Sequence, residues 1–162
     1  MSTENKIRKE MIQRFGDAYK AFGLNKLMGH IVALLIYTGE PLSLGDISKY
    51  LNRSKGPVSQ ILKRLRDKKL IRKAWSPENN RQDFYEIEPE IFENAFRNNL
   101  ELIKNNVRIA KQLKSIVKNV KSAEMSLLKQ RMDEMESFYM LMEQHYRIFL
   151  AEWITAREKI YK

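Results

Sequence analysis

The 162-residue sequence contains no cysteine. This absence excludes disulfide bonds, thiolate zinc sites and cysteine nucleophiles, and it favours a reducing intracellular setting. The longest uninterrupted apolar run covers only residues 31–37, whereas a helix that crosses a bilayer needs about 20 such residues. The charged amino-terminal residues lack the pattern of a signal peptide. We therefore expect a cytoplasmic protein without a membrane partner.

Residue types that carry catalysis are also scarce. The two histidines, His30 and His145, are far apart in the sequence and belong to no carboxylate–histidine cluster of the kind that holds a metal. The sequence has no glycine-rich phosphate loop, nucleophile elbow or dinucleotide fingerprint. We expect His30 to be a packed, hydrogen-bonded side chain. The sequence predicts neither an enzyme nor a bound cofactor or metal.

The positive charge is concentrated in one part of the chain. The net charge is +10, and residues 49–81 hold eleven basic and only two acidic side chains, a net charge of +9. Residues 1–48 carry +1, and residues 82–162 are neutral overall. Concentrated positive charge is typical of a surface that binds phosphate, although charge alone would equally suit a solvated surface that keeps the protein soluble. The spacing of residues has to distinguish these two interpretations.

The spacing of apolar residues predicts two helices before residue 40. The first covers about residues 3–22 and ends at Gly23. Asn25 is a suitable cap for the second, which covers residues 26–38 and is apolar on nearly every side. A helix of this kind is normally buried, so we expect it at the centre of a small core.

A helix-turn-helix is predicted to follow. Ser43 and Asp46 have the capping spacing that starts a short helix, and Ser54 is the expected cap of the next one. The side chains expected to point inward are Leu44, Ile47, Tyr50 and Leu51 in the first helix, and Val58, Ile61, Leu62 and Leu65 in the second. The opposite face of the second helix is polar and basic. This layout is typical of a helix that enters the major groove of DNA.

A basic hairpin is predicted after these helices. Residues 70–76 and 82–87 are rich in aliphatic and aromatic side chains, and Asn79 and Asn80 tolerate the left-handed conformation that a turn needs. Arg81 beside this turn is suited to enter a minor groove. The predicted fold is therefore mainly α with a small β-hairpin wing, a winged helix-turn-helix.

The stretch from Pro41 to Gln60, with Leu65 and residues 70–75, resembles the MarR superfamily, and more narrowly its branch of glycine-betaine-synthesis repressors and their archaeal relatives. Its most specific part is the run Ser-Lys-Gly-Pro-Val-Ser at residues 54–59. The resemblance implies a dimeric, DNA-binding transcription regulator. It implies DNA contacts from Ser54, Lys55, Pro57, Ser59, Gln60 and Lys63, with Arg81 as the wing arginine. The local concentration of charge adds Arg53, Arg64 and Lys73 as candidate DNA contacts.

Residues 89–162 are predicted to form two long helices with a break near residues 122–124, because neither glycine nor proline follows Pro89. In the second helix, apolar residues follow one another at spacings of three and four over about five heptads, as in a coiled coil. The preceding helix, the first helix or a second copy of the chain would have to cover this seam. We expect a homodimer whose contacts include Leu128, Met132, Met135, Tyr139, Met142, Tyr146, Phe149 and Trp153.

The first of these two helices has an apolar face and a basic stripe. The residues expected to point inward are Phe92, Phe96, Ile103, Val107, Ala110, Leu113, Val117 and Val120. The basic stripe consists of Lys104, Arg108, Lys111, Lys114, Lys118 and Lys121. It is either a second nucleic-acid contact or a solvated face balanced by acidic residues of the next helix. We favour the solvated face.

The aromatic side chains near the end of the chain allow a ligand hypothesis. Aromatic faces attract quaternary ammonium ions, and the resemblance to glycine-betaine-synthesis repressors implies a small-molecule effector of choline or betaine type. The residues in question are Phe138, Tyr139, Met142, Tyr146, Phe149 and Trp153. The alternative is that these side chains are core, which their heptad spacing favours.

The sequence thus predicts a DNA-binding regulator, with residues 1–88 binding double-stranded DNA and residues 89–162 forming the dimer. We expect a repressor that acts as a homodimer by occupying a pseudo-palindromic operator. The alternative is a winged-helix module that binds other proteins within an assembly and has no sequence-specific affinity for DNA. Salt-sensitive, sequence-preferring DNA binding would distinguish the two.

Overall fold

The computed structural model of the chain describes residues 2–75 and 82–161. These residues are mainly helical, with a small three-stranded antiparallel sheet. The elements in chain order are α1 (Thr3–Ala21), α2 (Lys26–Thr38), β1 (Leu42–Ser43), α3 (Leu44–Leu51), α4 (Lys55–Asp67), β2 (Ile71–Ala74), β3 (Phe84–Ile87), α5 (Ile91–Val117) and α6 (Glu124–Ile160). The chain divides into two compact units, Met1–Ala95 and Phe96–Lys162. No described helix is long and apolar enough to span a bilayer.

The second helix lies at the centre of the first unit, as predicted. The Asn25 side chain caps it by accepting a hydrogen bond from the backbone N–H of Leu27 at 2.8 Å. Gly39 ends it in the left-handed conformation, at φ 64°, which glycine adopts without steric cost. The buried side chains of α2 include Ile31 and Leu34, which are fully enclosed. A helix buried on most sides is stabilised chiefly by this packing.

Helices α1 and α2 approach closely at two glycines. A Cβ atom placed on Gly29 would lie 2.4 Å from the carbonyl oxygen of Phe15 and 2.9 Å from the Cα of Gly16. A Cβ on Gly16 would lie 2.3 Å from Nε2 of His30. The two backbones can touch here only because neither residue has a side chain. This role of the glycines was not predicted from the sequence.

Helix α3 begins and ends as its sequence predicts, but one of its side chains points the other way. Ser43 and Asp46 form a reciprocal capping box, in which the Asp46 N–H donates to the Ser43 hydroxyl at 3.1 Å. Ile47 is fully buried. The prediction that Tyr50 points inward is wrong, because its side chain is 51% exposed. The guanidinium of Arg8 lies 5.3 Å from the centre of its ring, a cation–π contact that holds the tyrosine at the surface.

The two predicted strands of the wing are present, and a third strand, β1, pairs with them in one sheet. The sheet has the order β1-β3-β2, and both pairs are antiparallel. Leu42 pairs with Tyr85 in the added β1–β3 ladder, while Ile71 pairs with Ile87 in the hairpin. The turn predicted at Asn79 and Asn80 lies outside the described residues.

The core of the first unit extends into the start of α5. Ile91 belongs to the buried cluster built mainly by α2, α3 and α4. The side-chain amide of Asn94 donates a 2.8 Å hydrogen bond to the carbonyl of Lys69, which ties α5 to the segment after α4. The boundary between the compact units therefore falls after Ala95. The separate roles expected for residues 1–88 and 89–162 stay a prediction.

In the second unit, the predicted break between two long helices is confirmed, because α5 ends at Val117 and α6 begins at Glu124. The buried side chains are those of Leu100, Ile103, Val107, Ala110 and Leu150. Three residues that were predicted to point inward are instead exposed, namely Phe92 in the first unit, Leu113 in α5 and Val120, which lies beyond the end of α5. Leu100, which is buried, was missed. The 3.6-residue period of a helix rotates its buried face along 27 residues, so no single stripe stays inward throughout.

The heptad seam of α6 is partly covered by the preceding helix of the same chain. The ring of Tyr146 stacks on that of Phe96, with ring centres 4.3 Å apart, and Phe149 lies 4.6 Å from the same ring. Leu128 and Phe149 nevertheless remain exposed, as do Phe138, Leu141 and Ile148 on neighbouring positions. The second unit thus retains a partly exposed apolar surface.

At its centre the basic stripe is balanced by acidic residues of α6, as the solvated-face interpretation expects. The ammonium of Lys114 lies 2.7 Å from a carboxylate oxygen of Asp133 and 2.8 Å from one of Glu136, both on α6. These hydrogen bonds, first that to Asp133, raise the pKa of Lys114 above its usual range. Lys104 pairs with Glu101 within α5, at 2.6 Å. Such exposed pairs contribute little to stability, but they neutralise part of the stripe.

Candidate nucleic-acid interface

Helix α4, the second helix of the helix-turn-helix and hereafter the recognition helix, has one buried face and one exposed face. Its apolar stripe consists of Val58, Ile61, Leu62 and Leu65, all buried as predicted. The side chains predicted at the DNA are all exposed, namely Ser54, Lys55, Pro57, Ser59, Gln60, Lys63 and Arg64. Burial of one stripe therefore fixes the rotation of the helix and turns these residues outward.

The basic side chains of the recognition helix are unpaired. Lys55, Lys63, Arg64 and Arg66 are exposed, and none of them has an ion-pair or hydrogen-bond partner for its charged group among residues 2–75 and 82–161. Each charge is therefore available to a ligand without first breaking a contact within the part of the chain described. Unpaired charges on a rigid helix are the arrangement that binding to a polyanion requires.

Ser54 occupies the cap position of the recognition helix but does not perform the predicted capping. Its backbone is extended, at φ −67° and ψ 151°, as a cap residue should be. Its side chain makes no capping hydrogen bond. The predicted side-chain cap is therefore wrong, because Pro57, at the third helical position, has no N–H to donate to it. The Ser54 hydroxyl stays exposed and without that bond.

The wing strands differ from the recognition helix in their charge balance. Lys73 on β2 lies 2.6 Å from the carboxylate of Asp83, and Arg72 lies 2.7 Å from that of Glu86 and 3.9 Å from that of Glu88. The hydrogen bond to Glu86 raises the pKa of Arg72 further. The basic residues of β2 are thus largely balanced by acidic residues that follow residue 81 in the sequence.

This pairing corrects the charge analysis. The net charge of +9 was counted over residues 49–81, and the antiparallel sheet brings acidic side chains from outside that window next to Arg72 and Lys73. Lys73, a predicted DNA contact, therefore forms an ion pair with Asp83. Within residues 49–75, Arg53 and the four basic side chains of the recognition helix are exposed and have no ion-pair partner among the described residues.

The outer end of the wing is described only in part. Arg81, the predicted wing arginine, lies outside the described residues. Trp75, directly after β2, is 80% exposed and was not singled out from the sequence. An aromatic residue next to a short strand is expected to be at least partly buried, so no pattern in the sequence indicates the exposure of Trp75.

No group of three or more metal-ligating side chains occurs among the described residues. The polar face of the recognition helix offers hydroxyl, amide and cationic groups, those of Ser59, Gln60 and Lys63 among them. These groups suit the hydrogen bonding and ion pairing of a binding surface.

Comparisons with known proteins agree with this architecture. Residues 26–82 match the sequence model that describes the MarR family. The chain is 24% identical over 82 residues to YvaV of Bacillus subtilis, described as an HTH-type transcriptional regulator, an alignment that covers 51% of this chain and 46% of YvaV. It is 20% identical over 85 residues to the HTH-type transcriptional repressor OpcR of the same organism, covering 52% of this chain and 45% of OpcR. The alignments thus span just under half the length of these curated relatives.

A solved structure extends the similarity in fold to nearly the whole chain. A crystal structure described as that of a transcriptional regulator superimposes with a TM-score of 0.77. It covers 91% of this chain and 98% of its own, at 17% sequence identity. Identity this low supports a shared fold and nothing more specific. The chain is thus similar to the MarR family over residues 26–82, and its fold is consistent with a MarR-like winged helix followed by carboxy-terminal helices.

Proposed function

We propose that this protein is a DNA-binding transcriptional regulator that represses its target by occupying an operator. The observation that carries the proposal is the exposed face of the recognition helix, where four basic side chains are unpaired within the described part of the chain while the opposite stripe is buried. The similarity to the transcriptional regulators YvaV and OpcR supports a role in transcription regulation. OpcR is described as a repressor, which supports repression. The narrower resemblance to glycine-betaine-synthesis repressors stays a prediction.

Different side chains of the recognition helix would have different tasks. Gln60 has an amide that can bond both edge atoms of an adenine, and Lys63 has an ammonium that can bond guanine acceptors. We expect these two, with Ser59, to provide sequence preference. Lys55 and Arg64 would bind phosphate, which positions the protein without reading sequence.

We further propose that the protein acts as a homodimer through α6. The predicted seam is partly covered by α5, but Phe138, Leu141, Ile148 and Phe149 remain exposed beside it. Exposed large apolar side chains on one helix favour an interface, and a two-fold dimer is the commonest solution. Two recognition helices about 34–36 Å apart would read half-sites one turn of DNA apart.

The dimer proposal has a direct test. Replacing Leu141 and Ile148 with glutamate places charges on the exposed face without touching the buried Leu150. Sedimentation of the parent should give the mass of two chains, and the double variant should shift toward one. A parent that sediments as a monomer at micromolar concentration contradicts the dimer.

DNA binding is tested by a gel-shift titration of the full chain at two salt concentrations. The DNA is the region upstream of the protein's own gene, with random DNA of equal length as competitor. Replacement of Gln60 and Lys63 with alanine should reduce the preference for the upstream DNA. Arg14→Ala is the matched control, since it also removes one positive charge and Arg14 is exposed on α1, paired with Glu10.

The outcome distinguishes the two function classes. Salt-sensitive binding that prefers the upstream DNA supports the regulator. If the parent protein binds neither DNA even at low salt, the proposed function is wrong and a module that binds other proteins is favoured instead.

The quaternary ammonium effector stays a prediction with little structural support. Tyr146 stacks on Phe96, and Phe138 meets Tyr139 edge to face at 5.3 Å. These rings bind one another, which favours a packing role over an aromatic cage. Choline or betaine should raise the melting temperature if such a site exists, and an unchanged melting curve rejects it.

A further inference from the structure

A cleft of about 440 Å³ lies beside the start of the recognition helix. Three segments that are distant in sequence form it: the first turns of α2, the turn between α3 and α4, and the first turn of α4. The lining residues are Asn25, Lys26, Leu27, His30, Asn52, Arg53, Ser54 and Pro57. Ser54 and Pro57 also belong to the set predicted at the DNA, so the cleft is continuous with the proposed interface.

The cleft is electropositive. Arg53 is exposed and has no ion-pair partner among the described residues. Lys26 adds a second cation, which is shared with Asp17 of α1 at 2.7 Å. The charges of Arg53, Lys26 and Asp17 all lie close enough to the His30 imidazole to affect its pKa. Burial first, and then the charges of Lys26 and Arg53, lower the pKa of His30, while Asp17 acts in the opposite direction.

Two residues that line the cleft, Ser54 and His30, have polar atoms without a hydrogen-bond partner among the described residues. The Ser54 hydroxyl makes no capping bond. The Nε2 atom of His30 is buried and has no hydrogen-bond partner in the described structure. The predicted hydrogen bond of His30 is therefore absent at this atom, which faces Gly16 across the helix crossing. Since this atom is buried against α1, the donors that the cleft offers to a ligand are the Arg53 guanidinium and the Ser54 hydroxyl.

We propose that this cleft binds a phosphate oxyanion, held by the guanidinium of Arg53 and the hydroxyl of Ser54 next to the imidazole of His30. In the complex with DNA, the oxyanion is a backbone phosphate beside the recognition helix. This inference rests on the proposed DNA binding and adds the start of α2 to the interface.

The groups that line the cleft fit phosphate better than an apolar ligand. A guanidinium can donate two parallel hydrogen bonds to phosphate oxygens, and hydroxyl and amide side chains are common additional phosphate contacts. A backbone phosphate at this point would fix the angle at which the recognition helix enters the groove. A free phosphate would use the same donors, so the experiment includes both sources.

The histidines supply a probe that is specific to the cleft. The chain has only two, and His145 on α6 serves as the internal reference. The pKa of each imidazole is measured by NMR titration of the full chain alone, with the upstream DNA, and with inorganic phosphate. An anion in the cleft favours the charged imidazole, so the pKa of His30 should rise while that of His145 stays unchanged.

A second measurement uses the salt dependence of DNA affinity. Arg53→Gln should lower the slope of log affinity against log salt by about 0.9, because one phosphate fewer is neutralised. The loss of affinity should therefore be about 3-fold larger at 50 mM than at 200 mM salt. Ser54→Ala should weaken binding without changing this slope, and Arg14→Ala should change neither. Arg53 is exposed and unpaired in the described structure, so its replacement should not affect folding.

Each result decides between the proposals. If DNA binds but leaves the pKa of His30 unchanged and Arg53→Gln retains the parent slope, the cleft proposal is overturned and the proposed function stands. If DNA fails to bind but inorganic phosphate raises the pKa of His30, the cleft stands as a free-anion site and the proposed function fails. If neither ligand changes the pKa of His30, the cleft is no oxyanion site.

Discussion

Replacement of Gly29 by alanine should destabilise the protein although alanine is the better helix former. The new Cβ would lie 2.4 Å from the carbonyl oxygen of Phe15, where a comfortable contact is about 3.5 Å. Because this neighbour is backbone, α1 must move by roughly 1 Å. Overpacking of this kind costs about 1–3 kcal/mol, and the gain in helix propensity offsets up to about 1 kcal/mol. Because the clash is with backbone, which cannot rotate away, the cost lies in the upper part of that range, at about 2–3 kcal/mol, and the expected net loss is about 1–2 kcal/mol.

Thermal melting of the full chain measures this loss. For a protein of this size, it corresponds to a decrease in Tm of about 2–8 °C. Gly56→Ala is the matched control, since it is also helical and has no heavy atom within 4 Å of the added Cβ. The control should leave Tm unchanged or raise it slightly. If Gly29→Ala melts at or above the parent temperature, the close crossing of α1 and α2 is wrong.

Three further predictions follow from the charges and side-chain environments described above. Lys73→Ala should change the salt dependence of DNA affinity much less than alanine at an unpaired lysine of α4, because Asp83 already neutralises Lys73; equal changes contradict the wing pairing. Trp75 is 80% exposed and the indole nitrogen of Trp153 is buried, so acrylamide should quench a variant that retains only Trp75 more strongly than one that retains only Trp153. Burial lowers the pKa of His30 below its ordinary 6.5, so the unfolded chain binds this proton more readily and stability should fall as the pH drops through 6.5. Urea unfolding at pH 7.5 and 5.5 should show a smaller difference for His30→Gln, and an unchanged difference refutes this origin.

Local features of the fold could be predicted because neighbours in sequence determine them. The caps of α2 and α3 depend on Asn25, Ser43 and Asp46, each within three residues of its hydrogen-bond partner. The outward face of the recognition helix follows from the spacing of its apolar stripe. These signals depend only on the geometry of the α-helix, which is the same for every sequence that forms one.

The features that were missed depend on contacts between distant segments. No local pattern distinguishes the two glycines of the α1–α2 crossing from ordinary helix glycines. Tyr50 is held at the surface by Arg8, which lies 42 positions earlier. Glu86 and Asp83, the acidic partners of Arg72 and Lys73, lie outside residues 49–81, over which the positive charge was counted. Only the pairing of β2 with β3 brings these side chains together. Helical periodicity identifies apolar residues, but tertiary packing determines which of them are covered.

The two-residue strand β1 has a consequence for the order in which the domain folds. Its pairing joins Ser43 to Phe84, across about 40 residues of intervening chain, and closing so long a loop is entropically costly until both ends are in place. The helices form through contacts between nearer neighbours, so we expect the complete sheet to assemble after them. Ser43 also caps α3 through its side chain, a contact that does not need β3. The pairing of β1 with β3 should therefore form last, on a helix-turn-helix in which α3 is already capped.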